Sequence, residues 1–491
     1  MNYTNPVIRG FYPDPSVCRA EDGYFYLVCS SFQFFPGLPL FRSKDMVDWE
    51  QIGHCITRKS QLDLTGVEAS GGLFAPTIRY NKGRFYVVVT NTSGDGNFYL
   101  YTDDICGEWS EPVSVDRGGI DPSLLFDGDK VYFMSNGEDD EGEHGISLCE
   151  IDIETGKVLG KCKCISKGSG GRFIEAPHLY HIGEWYYLLV AEGGTEYGHM
   201  ECMFRSQEPF GPYEGCPRNP ILTNRNLGGY TVQGAGHADI VQDNDGQWWM
   251  VNLAFRQIHM WRPFHHLGRE VFLEPVFFDK DGWLRVGSDG TCRLAYTLEK
   301  GVCTASESAE YPKQKWSIIE KETCFIRCPD YGNYRFDGNT VELKGTASRL
   351  NSRDNVTFVG MRQREFDCTA EVEIDGVAKG MRCGITAYMN EGNHYDLVAE
   401  RIDGSCTVTG VINIGGVPVV MDKINVSEIR LKIEAEAQSY RLYGFDNGKW
   451  VQLAGMESKY LSSEVCEGFT GVIIGLFCED GNGGTARFTV K

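Results

Sequence analysis

Asp14-Pro15-Ser16-Val17 opens the stretch that decides the fold: a turn at Gly23 follows it, and then the apolar run Tyr24-Phe25-Tyr26-Leu27-Val28. An aromatic or β-branched run beyond a glycine turn is a strong short-range signal for a β-hairpin. Four later units repeat the pattern: Ala75-Pro76-Thr77-Ile78 with Phe85-Tyr86-Val87-Val88-Val89, Asp121-Pro122-Ser123-Leu124 with Val131-Tyr132-Phe133-Met134, Ala176-Pro177-His178-Leu179 with Trp185-Tyr186-Tyr187-Leu188-Leu189, and Ala238-Asp239-Ile240-Val241 with Trp248-Trp249-Met250-Val251. The sequence therefore predicts five hairpins.

The spacing of these units predicts how the hairpins assemble. Successive tetrapeptides begin about 46 to 62 residues apart, a period typical of propeller blades. A third strand follows several hairpins, as at Leu40-Phe41-Arg42-Ser43 and Leu100-Tyr101-Thr102. Such a unit cannot bury both of its faces alone, so the units must pack around a common axis and leave a central channel. We predict an all-β chain whose residues 1–298 form a five-bladed β-propeller.

The pattern changes in the second part of the chain. Residues 299–315 carry mixed charge, small residues and Pro312, which is typical of an extended linker. From Trp316 onward, segments such as Cys368-Thr369-Ala370-Glu371-Val372-Glu373-Ile374 alternate apolar and polar residues, as half-buried antiparallel strands do. Turns with Gly and Asn separate these segments at a spacing typical of sandwiches. Residues 316–491 are therefore predicted to form an accessory β-sandwich domain.

Composition limits the classes of partner. The 491-residue chain has a net charge of −21, whereas recognition of nucleic acid or an anionic membrane needs a basic surface. Its 27 Phe, 24 Tyr and 9 Trp residues favour large buried cores over disorder. We expect a neutral small-molecule substrate, no nucleic-acid or membrane partner, and leave a homo-oligomer open.

The cysteines and the first residues bear on the compartment. Many of the 18 cysteines lie inside strand-like runs, which favours buried thiols in a reducing compartment over a disulfide framework. Met1-Asn2-Tyr3-Thr4-Asn5-Pro6 lacks the basic and then apolar pattern of a secretory signal. We expect a cytoplasmic protein. The two close cysteine pairs lack the second half of a zinc site, so we predict no structural metal.

Acidic residues stand at the predicted starts of inner strands. The leading or preceding positions of the five tetrapeptides hold Asp14, Phe74, Asp121, Glu175 and His237. Asp-Pro is often simple turn punctuation, with Asp capping its own backbone, and for any single acid that is the more common role. For acids at equivalent positions of a repeat this explanation is weaker, because the repeat predicts that they all point toward the channel. Converging carboxylates indicate glycosidic chemistry, in which one acid protonates the leaving oxygen while a second activates water or attacks the sugar.

Seven motifs follow one another along the chain. They are Asn5-Pro6-Val7 with Asp14-Pro15-Ser16, Ser70-Gly71-Gly72-Leu73-Phe74-Ala75-Pro76, Gly119-Ile120-Asp121-Pro122-Ser123, Ile174-Glu175-Ala176-Pro177-His178-Leu179-Tyr180, Ala191-Glu192-Gly193-Gly194-Thr195, Gly236-His237-Ala238-Asp239 and Leu267-Gly268-Arg269-Glu270. In this order they resemble glycoside hydrolase family 43, and in particular its β-xylosidase and α-L-arabinofuranosidase members. The resemblance spans nearly the whole chain, since a stretch near the end, beginning at Phe469, is similar to the C-terminal β-sandwich of that group.

The resemblance implies an inverting exo-glycosidase and assigns roles to the acids. Asp14 would be the general base that deprotonates water, Glu175 the general acid, and Asp121 the residue that orients Glu175 and raises its pKa. Arg269 would donate to sugar hydroxyls. An inverting mechanism predicts that the carboxyl groups of Asp14 and Glu175 lie roughly 6.5 to 9.5 Å apart.

The other predicted site residues line or close the pocket. Phe32 and Phe74 would supply flat walls for a sugar ring, although core packing is the common role of such residues. Phe469 matches the aromatic residue with which the sandwich domain closes the pocket in the resembled group. His237 could contact substrate, hold a calcium ion or water in the channel, or pack as a core histidine. We predict that no cofactor is required and leave calcium open.

The substrate is predicted to be a terminal pentose, β-D-xylose or α-L-arabinofuranose, on xylo-oligosaccharides or arabinoxylan fragments. The short loop before Leu267 and the segment Tyr388-Met389-Asn390-Glu391 resemble arabinofuranosidases slightly more. Phe74, which stands where several relatives have tryptophan, leaves the preferred pentose open. Two alternatives remain: an endo- or exo-arabinanase-like enzyme, and a non-catalytic carbohydrate-binding propeller, because fold alone does not imply function.

Overall fold

The computed structural model describes residues 1–299, 302–402, 404–480 and 483–491. Strands make up 54% of the chain and helices 3%. The prediction of an all-β chain is therefore confirmed. The described helices are three single 3-10 turns, Glu320–Glu322, Tyr331–Asn333 and Ser458–Leu461, and one short α-helix, Ser463–Cys466.

Five four-stranded antiparallel sheets follow one another along the first part of the chain. Each sheet contains one of the five predicted hairpins, and its first strand follows or includes the corresponding tetrapeptide. In chain order the strands are Ser16–Arg19, Phe25–Val28, Gly37–Ser43 and Glu50–Ile56; Thr77–Asn81, Arg84–Asn91, Gly96–Thr102 and Val113–Ser114; Ile120–Asp127, Lys130–Glu138, His144–Ile151 and Val158–Ser166; Glu175–Ile182, Trp185–Glu192, Met200–Ser206 and Glu214–Gly215; and Val232–Gln242, Trp248–Arg256, Glu270–Phe278 and Leu284–Val286.

The first strands of the five sheets, here called the inner strands, contact one another in a closed cycle. The strand Ser16–Arg19 packs against Thr77–Asn81, and the contacts continue through the inner strands of the third, fourth and fifth sheets. The fifth inner strand, Val232–Gln242, then packs back against Ser16–Arg19. The residues at the same end of the inner strands are consequently brought together.

Four of the five inner strands have an unusual backbone conformation at or beside a predicted site residue. Asp14, Asp121, Ala176 and His237 all have φ between 51° and 57°, a left-handed region that Asp, Asn and His enter more readily than most other residues. Register shifts interrupt the pairing of the third, fourth and fifth inner strands at these points. Such β-bulges redirect side chains. Here they mark the ends of the strands where the predicted acids lie.

A buried ion pair between Arg79 and Asp239 connects the second and fifth inner strands. The Arg79 Nη1 group lies 2.7 Å from Asp239 Oδ2, and the Asp239 side chain is fully buried. Ser16 of the first strand donates to the same carboxylate at 2.6 Å, and Tyr180 of the fourth strand donates to its other oxygen. Four of the five inner strands therefore meet at one carboxylate.

His178 extends this network to the third inner strand. Its Nδ1 atom lies 2.9 Å from Arg79 Nη2 and 3.1 Å from Ser123 Oγ. Burial lowers the pKa of His178 to about 3, so the ring is neutral at neutral pH and its unprotonated Nδ1 can accept from the Arg79 guanidinium, which only donates. The network of Ser16, Arg79, His178, Tyr180 and Asp239, with Ser123, thus links all five inner strands.

The second part of the chain is a β-sandwich with one continuous core. An eight-stranded and a six-stranded sheet face each other, and apolar residues from both sheets, such as Val372 and Leu431 from one and Ile385 and Leu476 from the other, form a single buried cluster. The first sheet contains Gln314–Lys315, Tyr334–Asp337, Thr340–Lys344, Cys368–Asp375, Ile429–Glu436, Ser439–Asp446, Lys449–Glu457 and Thr485–Val490; the second contains Thr357–Arg362, Met381–Asn390, Asn393–Ile402, Ser405–Ile414, Val417–Val426 and Ile473–Asp480.

The predicted linker is partly strand. Val302–Ser306 pairs with Ala295–Glu299, which also pairs with the N-terminal strand Asn2–Thr4. Gln314–Lys315 pairs in parallel with a strand of the sandwich. Residues 300 and 301 of the predicted linker lie outside the described residues, and the domain limits 1–298, 299–315 and 316–491 stay predictions.

The two parts of the chain share a continuous seam. The strand Phe34–Phe35 pairs with Phe325–Ile326. Beside it, Arg256 is buried and binds Glu270 with two hydrogen bonds of 2.7 and 2.8 Å and Glu365 of the second part at 3.1 Å. Since a charge buried without a partner is costly, this cluster fixes the sandwich against the residue next to Arg269.

The cysteines bear on the predicted compartment, and the helices bear on membrane insertion. All 18 cysteines lie in the described part of the chain and are free thiols, most of them buried. The predicted reducing compartment stays a prediction. Among the described residues, no helix has the length and apolar character needed to cross a membrane.

The Asp239 network predicts a large loss of stability on a nearly isosteric change. Asp239→Asn leaves the Arg79 charge without its partner, so we expect the free energy of unfolding to fall by about 3 to 5 kcal/mol. Urea denaturation followed by tryptophan fluorescence measures this change. Asp245→Asn, an exposed position just beyond the same strand, is the matched control and should change stability by less than about 0.5 kcal/mol. Equal effects of the two variants would contradict the role of the network.

Candidate active site

The three predicted acids meet at one end of the inner strands. Asp14 precedes the first inner strand, Asp121 is the second residue of the third, and Glu175 is the first residue of the fourth. The charge of Asp14 acts on both other carboxyls, and that of Glu175 acts on Asp121. Asp121 also accepts a hydrogen bond of 3.2 Å from the backbone N–H of Ala176, the residue after Glu175. The starts of three inner strands therefore bring the three acids close enough for their charges to interact.

Asp14 is held in its ionised form. Its side chain is buried, and its Oδ2 atom accepts a hydrogen bond of 2.6 Å from Ser30, while Oδ1 lies 3.2 Å from Arg269 Nη1. Burial alone would raise the pKa of Asp14, but the guanidinium of Arg269 and the Ser30 hydrogen bond outweigh it, and the pKa lies below its usual value. Asp14 is thus a carboxylate at neutral pH.

Glu175 is shifted in the opposite direction. Burial and the negative charge of Asp14 raise its pKa to about 7, although Arg269 opposes the shift. Burial and the charges of Glu175 and Asp14 also raise the pKa of Asp121 well above its usual range. The two carboxyls therefore disfavour each other's ionisation through like-charge repulsion. One site therefore holds an ionised carboxylate next to carboxyls that retain a proton near neutral pH.

Arg269 connects the acids to the sandwich. Besides Asp14, its Nη1 atom donates to Thr195 at 2.7 Å and its Nη2 atom donates to the carbonyl oxygen of Phe469 at 3.1 Å. Burial lowers the pKa of Arg269, an effect that the surrounding carboxylates oppose. An arginine remains cationic at neutral pH nevertheless, because its ordinary pKa is above 12. Arg269 is the positive charge around which this site is organised.

The three predicted aromatic residues form one cluster beside Arg269. The ring centroids of Phe32 and Phe74 lie 5.3 Å apart, and Phe469 lies 5.7 Å from Phe32 and 5.8 Å from Phe74. Arg269 lies 5.9 Å from the Phe32 ring and 5.5 Å from the Phe469 ring. The sandwich thus contributes an aromatic residue to a site that is otherwise built from the first part of the chain.

Two glycines allow Phe469 to reach this position. A Cβ atom on Gly471 would lie 2.4 Å from the carbonyl oxygen of Leu267, and one on Gly268 would lie 3.1 Å from the Gly471 Cα atom. The first contact excludes a side chain at Gly471, and the second, together with the φ of 86° at Gly268, disfavours one there. The backbone of the Leu267-Gly268-Arg269-Glu270 motif therefore touches the backbone next to Phe469, and Ser70 fixes Phe469 further by accepting its backbone N–H at 2.9 Å.

A cavity of about 530 Å³ opens next to these residues. Two of the eight predicted site residues, Arg269 and Phe469, line it together with Thr195, Glu196, Tyr197 and His265. Residues from both parts of the chain form its wall. The volume is in the range of small-molecule sites in proteins.

His237 lies beside Asp14 but does not form a metal site of its own. Its Nδ1 atom is 3.6 Å from Asp14 Oδ1, longer than a hydrogen bond. Burial lowers the pKa of His237. Calcium prefers six to eight oxygen ligands, whereas His237 offers nitrogen and the nearby Asp14 oxygen already faces Arg269. In the described ranges, no group of three or more His, Cys, Asp and Glu residues is arranged to bind a metal. The side chains present do not fit direct calcium coordination.

Sequence reasoning missed two polar partners of the acids. Ser30 donates to Asp14, and Thr195 accepts from Arg269. Thr195 is the last residue of the motif Ala191-Glu192-Gly193-Gly194-Thr195. The motif was recognised in the sequence, but no role was predicted for Thr195. Ser30 follows the second strand of the first sheet, beside the start of the first inner strand, and that position was the available signal.

Models of known families cover most of the chain. The model of Glycosyl hydrolases family 43 matches residues 3–284, and that of the Beta xylosidase C-terminal Concanavalin A-like domain matches residues 319–490. The sequence is 37% identical over 503 residues to a non-reducing end α-L-arabinofuranosidase of Bacteroides ovatus, covering 98% of this chain and 92% of the relative. It is 37% identical over 507 residues to a xylosidase/arabinosidase of Butyrivibrio fibrisolvens, covering 98% and 96%.

Solved structures agree over the full length. The structure of the Bacteroides ovatus xyloglucan PUL GH43B superposes with a TM-score of 0.90 at 35% sequence identity, covering 100% of both chains. The structure of a xylan β-1,4-xylosidase from Bacillus halodurans superposes with a TM-score of 0.88 at 28% identity, again covering 100% of both chains. The likeness therefore extends over both parts of the chain.

Proposed function

The chain belongs to glycoside hydrolase family 43, and from this premise we propose that it is an inverting exo-glycosidase. It releases a terminal pentose, β-D-xylose or α-L-arabinofuranose, from xylo-oligosaccharides or arabinoxylan fragments. The observation that carries the proposal is that the pKa values of two carboxyls near Arg269 are shifted in opposite directions. The pKa of Asp14 is lowered, and that of Glu175 is raised to about 7. This is the pairing of base and acid that glycoside hydrolysis needs.

The scaffold we propose for this chemistry is a five-bladed β-propeller. Its support is the succession of five four-stranded sheets and the closed cycle of contacts between their inner strands. In such a fold the inner strands line the central channel. The acids at the ends of these strands would then lie at one mouth of the channel.

Asp14 acts as the general base. As a carboxylate it can take a proton from a water molecule that attacks the anomeric carbon. Ser30 and Arg269 hold its two oxygens in fixed directions, and Arg269 keeps it ionised. The water must fit between Asp14 and the sugar, so the predicted separation of roughly 6.5 to 9.5 Å from Glu175 is part of the proposal.

Glu175 acts as the general acid. It retains its proton near neutral pH and can transfer it to the glycosidic oxygen as the bond to the leaving group breaks. Asp121 positions it through the hydrogen bond from the backbone of Ala176 and shares the protons of the coupled pair. Arg269 remains charged and binds sugar hydroxyls, while no step is assigned to a metal ion.

The aromatic wall supports exo-action. Phe469 from the sandwich packs against Phe32 and Phe74, so a polysaccharide chain cannot continue past this side of the site. A pocket closed in this way accepts one terminal sugar, whereas the arabinanase-like alternative with internal cleavage requires an open groove. Of the two pentoses we place α-L-arabinofuranose first, because the Bacteroides ovatus relative is named for that activity alone. The Butyrivibrio fibrisolvens relative is named for both activities and the Bacillus halodurans structure for xylosidase, so xylose stays part of the proposal.

Product analysis tests the proposed reaction directly. We expect the intact protein to hydrolyse aryl α-L-arabinofuranosides and aryl β-xylosides, with the first product appearing by NMR as the anomer opposite to that of the substrate. Retention of configuration would contradict the assignment of Asp14 as a base, because it requires a covalent intermediate. Cleavage of internal bonds in debranched arabinan would support the arabinanase-like alternative instead.

Variants of the two acids separate their roles. Glu175→Gln should lower kcat/KM for a poor leaving group by about 10²- to 10⁴-fold, yet have a much smaller effect with dinitrophenyl pentosides, whose leaving group needs no proton. Asp14→Asn should lower kcat/KM for both substrates. Glu184→Gln, an exposed acid at the turn of the same sheet, is the matched control and should leave both unchanged. Unaltered hydrolysis by both acid variants would favour a different site or a non-catalytic carbohydrate-binding protein.

A further inference from the structure

An exposed phenylalanine lies two residues before Glu175 in an unfavourable backbone conformation. Phe173 is 59% exposed, and its φ is 53°, in the left-handed region that bulky side chains rarely adopt. Neither property helps the fold, since an exposed ring buries little apolar surface and the backbone conformation costs energy. Such a combination next to a catalytic acid suggests a functional role for the ring.

The segment before Phe173 is fixed by a buried carboxylate. Glu192 is fully buried and accepts the backbone N–H groups of Ser169 and Gly171, both at 2.7 Å, and the Ser169 hydroxyl at 3.1 Å. A Cβ atom on Gly168 or Gly171 would lie within 3 Å of the Glu192 carboxyl. The chain thus wraps closely around Glu192, and this anchor imposes the path that leads into Phe173.

Arg172 holds the ring against the segment Gly193 to Glu196, the last residue of which lines the cavity. Its backbone carbonyl accepts the Gly193 N–H at 2.7 Å, its Nε donates to the Gly193 carbonyl at 3.1 Å, and its Nη2 donates to Glu196 at 3.1 Å. The guanidinium lies 5.1 Å from the Phe173 ring. Both side chains lie over Gly194, where a Cβ atom would be 3.3 Å from the ring.

This contact connects Phe173 to residues of the active site. Gly194 precedes Thr195, which accepts a hydrogen bond from Arg269, and Thr195 and Glu196 both line the cavity. Along the chain, Glu175 follows Phe173 by two residues. The exposed ring therefore packs against the segment that leads into the cavity wall and is close in the chain to the proposed acid.

The chemistry of the acid indicates what this ring faces. A general acid must reach the glycosidic oxygen, and this oxygen departs with the leaving group. Side chains that flank the acid toward solvent consequently lie next to the leaving group. We propose, on the basis of the proposed function, that Phe173 is the platform on which the first sugar of the leaving group stacks. A pyranose ring with equatorial hydroxyls, such as xylopyranose, presents the flat apolar face that suits an aromatic ring.

The proposal predicts a loss that depends on the leaving group. Phe173→Ala should lower kcat/KM for a pentose-terminated xylo-oligosaccharide by roughly three- to tenfold, the size of an aromatic packing interaction. Hydrolysis of the corresponding pentosyl fluoride, which has no sugar leaving group, should not change. Phe173→Tyr should retain wild-type activity on both, and Leu159→Ala, another exposed apolar residue, is the control.

The outcomes separate the platform from the reaction itself. Wild-type rates for Phe173→Ala on the oligosaccharide, or equal losses on both substrates, would overturn the platform and leave the proposed hydrolysis standing. Failure of the wild-type protein to hydrolyse either substrate would contradict the proposed function and the platform with it.

A stability measurement distinguishes a binding ring from a packing ring. Asparagine adopts the left-handed backbone more readily than phenylalanine, so Phe173→Asn should keep or raise the Tm while losing the same three- to tenfold activity on the oligosaccharide. A clear drop of the Tm in this variant, with the pentosyl fluoride activity falling in parallel, would assign the ring to packing and overturn the proposal.

Discussion

The buried ion pair between Arg79 and Asp239 is the interaction on which the rest of the molecule depends. It joins strands that are about 160 residues apart in the chain, and its hydrogen bonds to Ser16, His178 and Tyr180 draw in two further inner strands. Burial would raise the pKa of Asp239, but Arg79 and the surrounding hydrogen bonds hold it below its usual range. Charge this deeply buried is tolerated only with its partners in place. The network therefore specifies one closed arrangement of five sheets.

Because the arrangement of the sheets is closed, residues from separate sheets come together in one site. Four of the inner strands have a left-handed residue at or beside a predicted site residue: Asp14, Asp121, Ala176, which follows Glu175, and His237. The same three acids then titrate differently because their neighbours differ. Arg269 lies against Asp14 and keeps it ionised, while Glu175 is raised by burial and by the charge of Asp14. The scaffold brings the acids close together, and Arg269, which lies against Asp14, contributes to the difference between their pKa values.

The sandwich completes the site through close backbone contact. Gly268 and Gly471 permit the two parts of the chain to touch, and the buried Arg256, Glu270 and Glu365 cluster holds them in register. This close contact brings Phe469 against Arg269, Phe32 and Phe74. Loss of the seam would therefore remove Phe469 from the proposed active site without changing any of the three acids.

Sequence reasoning predicted the repeating elements better than the long-range contacts. The five hairpins and the three acids were predictable, since each hairpin has a local pattern and the repeat places equivalent residues together. Asp239 was visible only as part of a tetrapeptide, because its partners Arg79 and Tyr180 lie on other sheets. Phe173 gave no signal, since its backbone angle and exposure depend on the anchor at Glu192. Interactions that span sheets follow from the closed packing, which the local pattern does not contain.

The pH dependence of kcat/KM for the wild-type protein on a pentose-terminated oligosaccharide tests the central claim most directly. The free protein should be active while Asp14 is ionised and Glu175 is protonated. Because the pKa of Glu175 is raised to about 7, activity should fall as the pH rises through that value, and because the pKa of Asp14 is lowered, the acidic limb should lie below the usual range of an aspartate. A profile that stays flat to about pH 9, or an acidic limb well above about pH 4, would contradict the assignment of these two carboxyls.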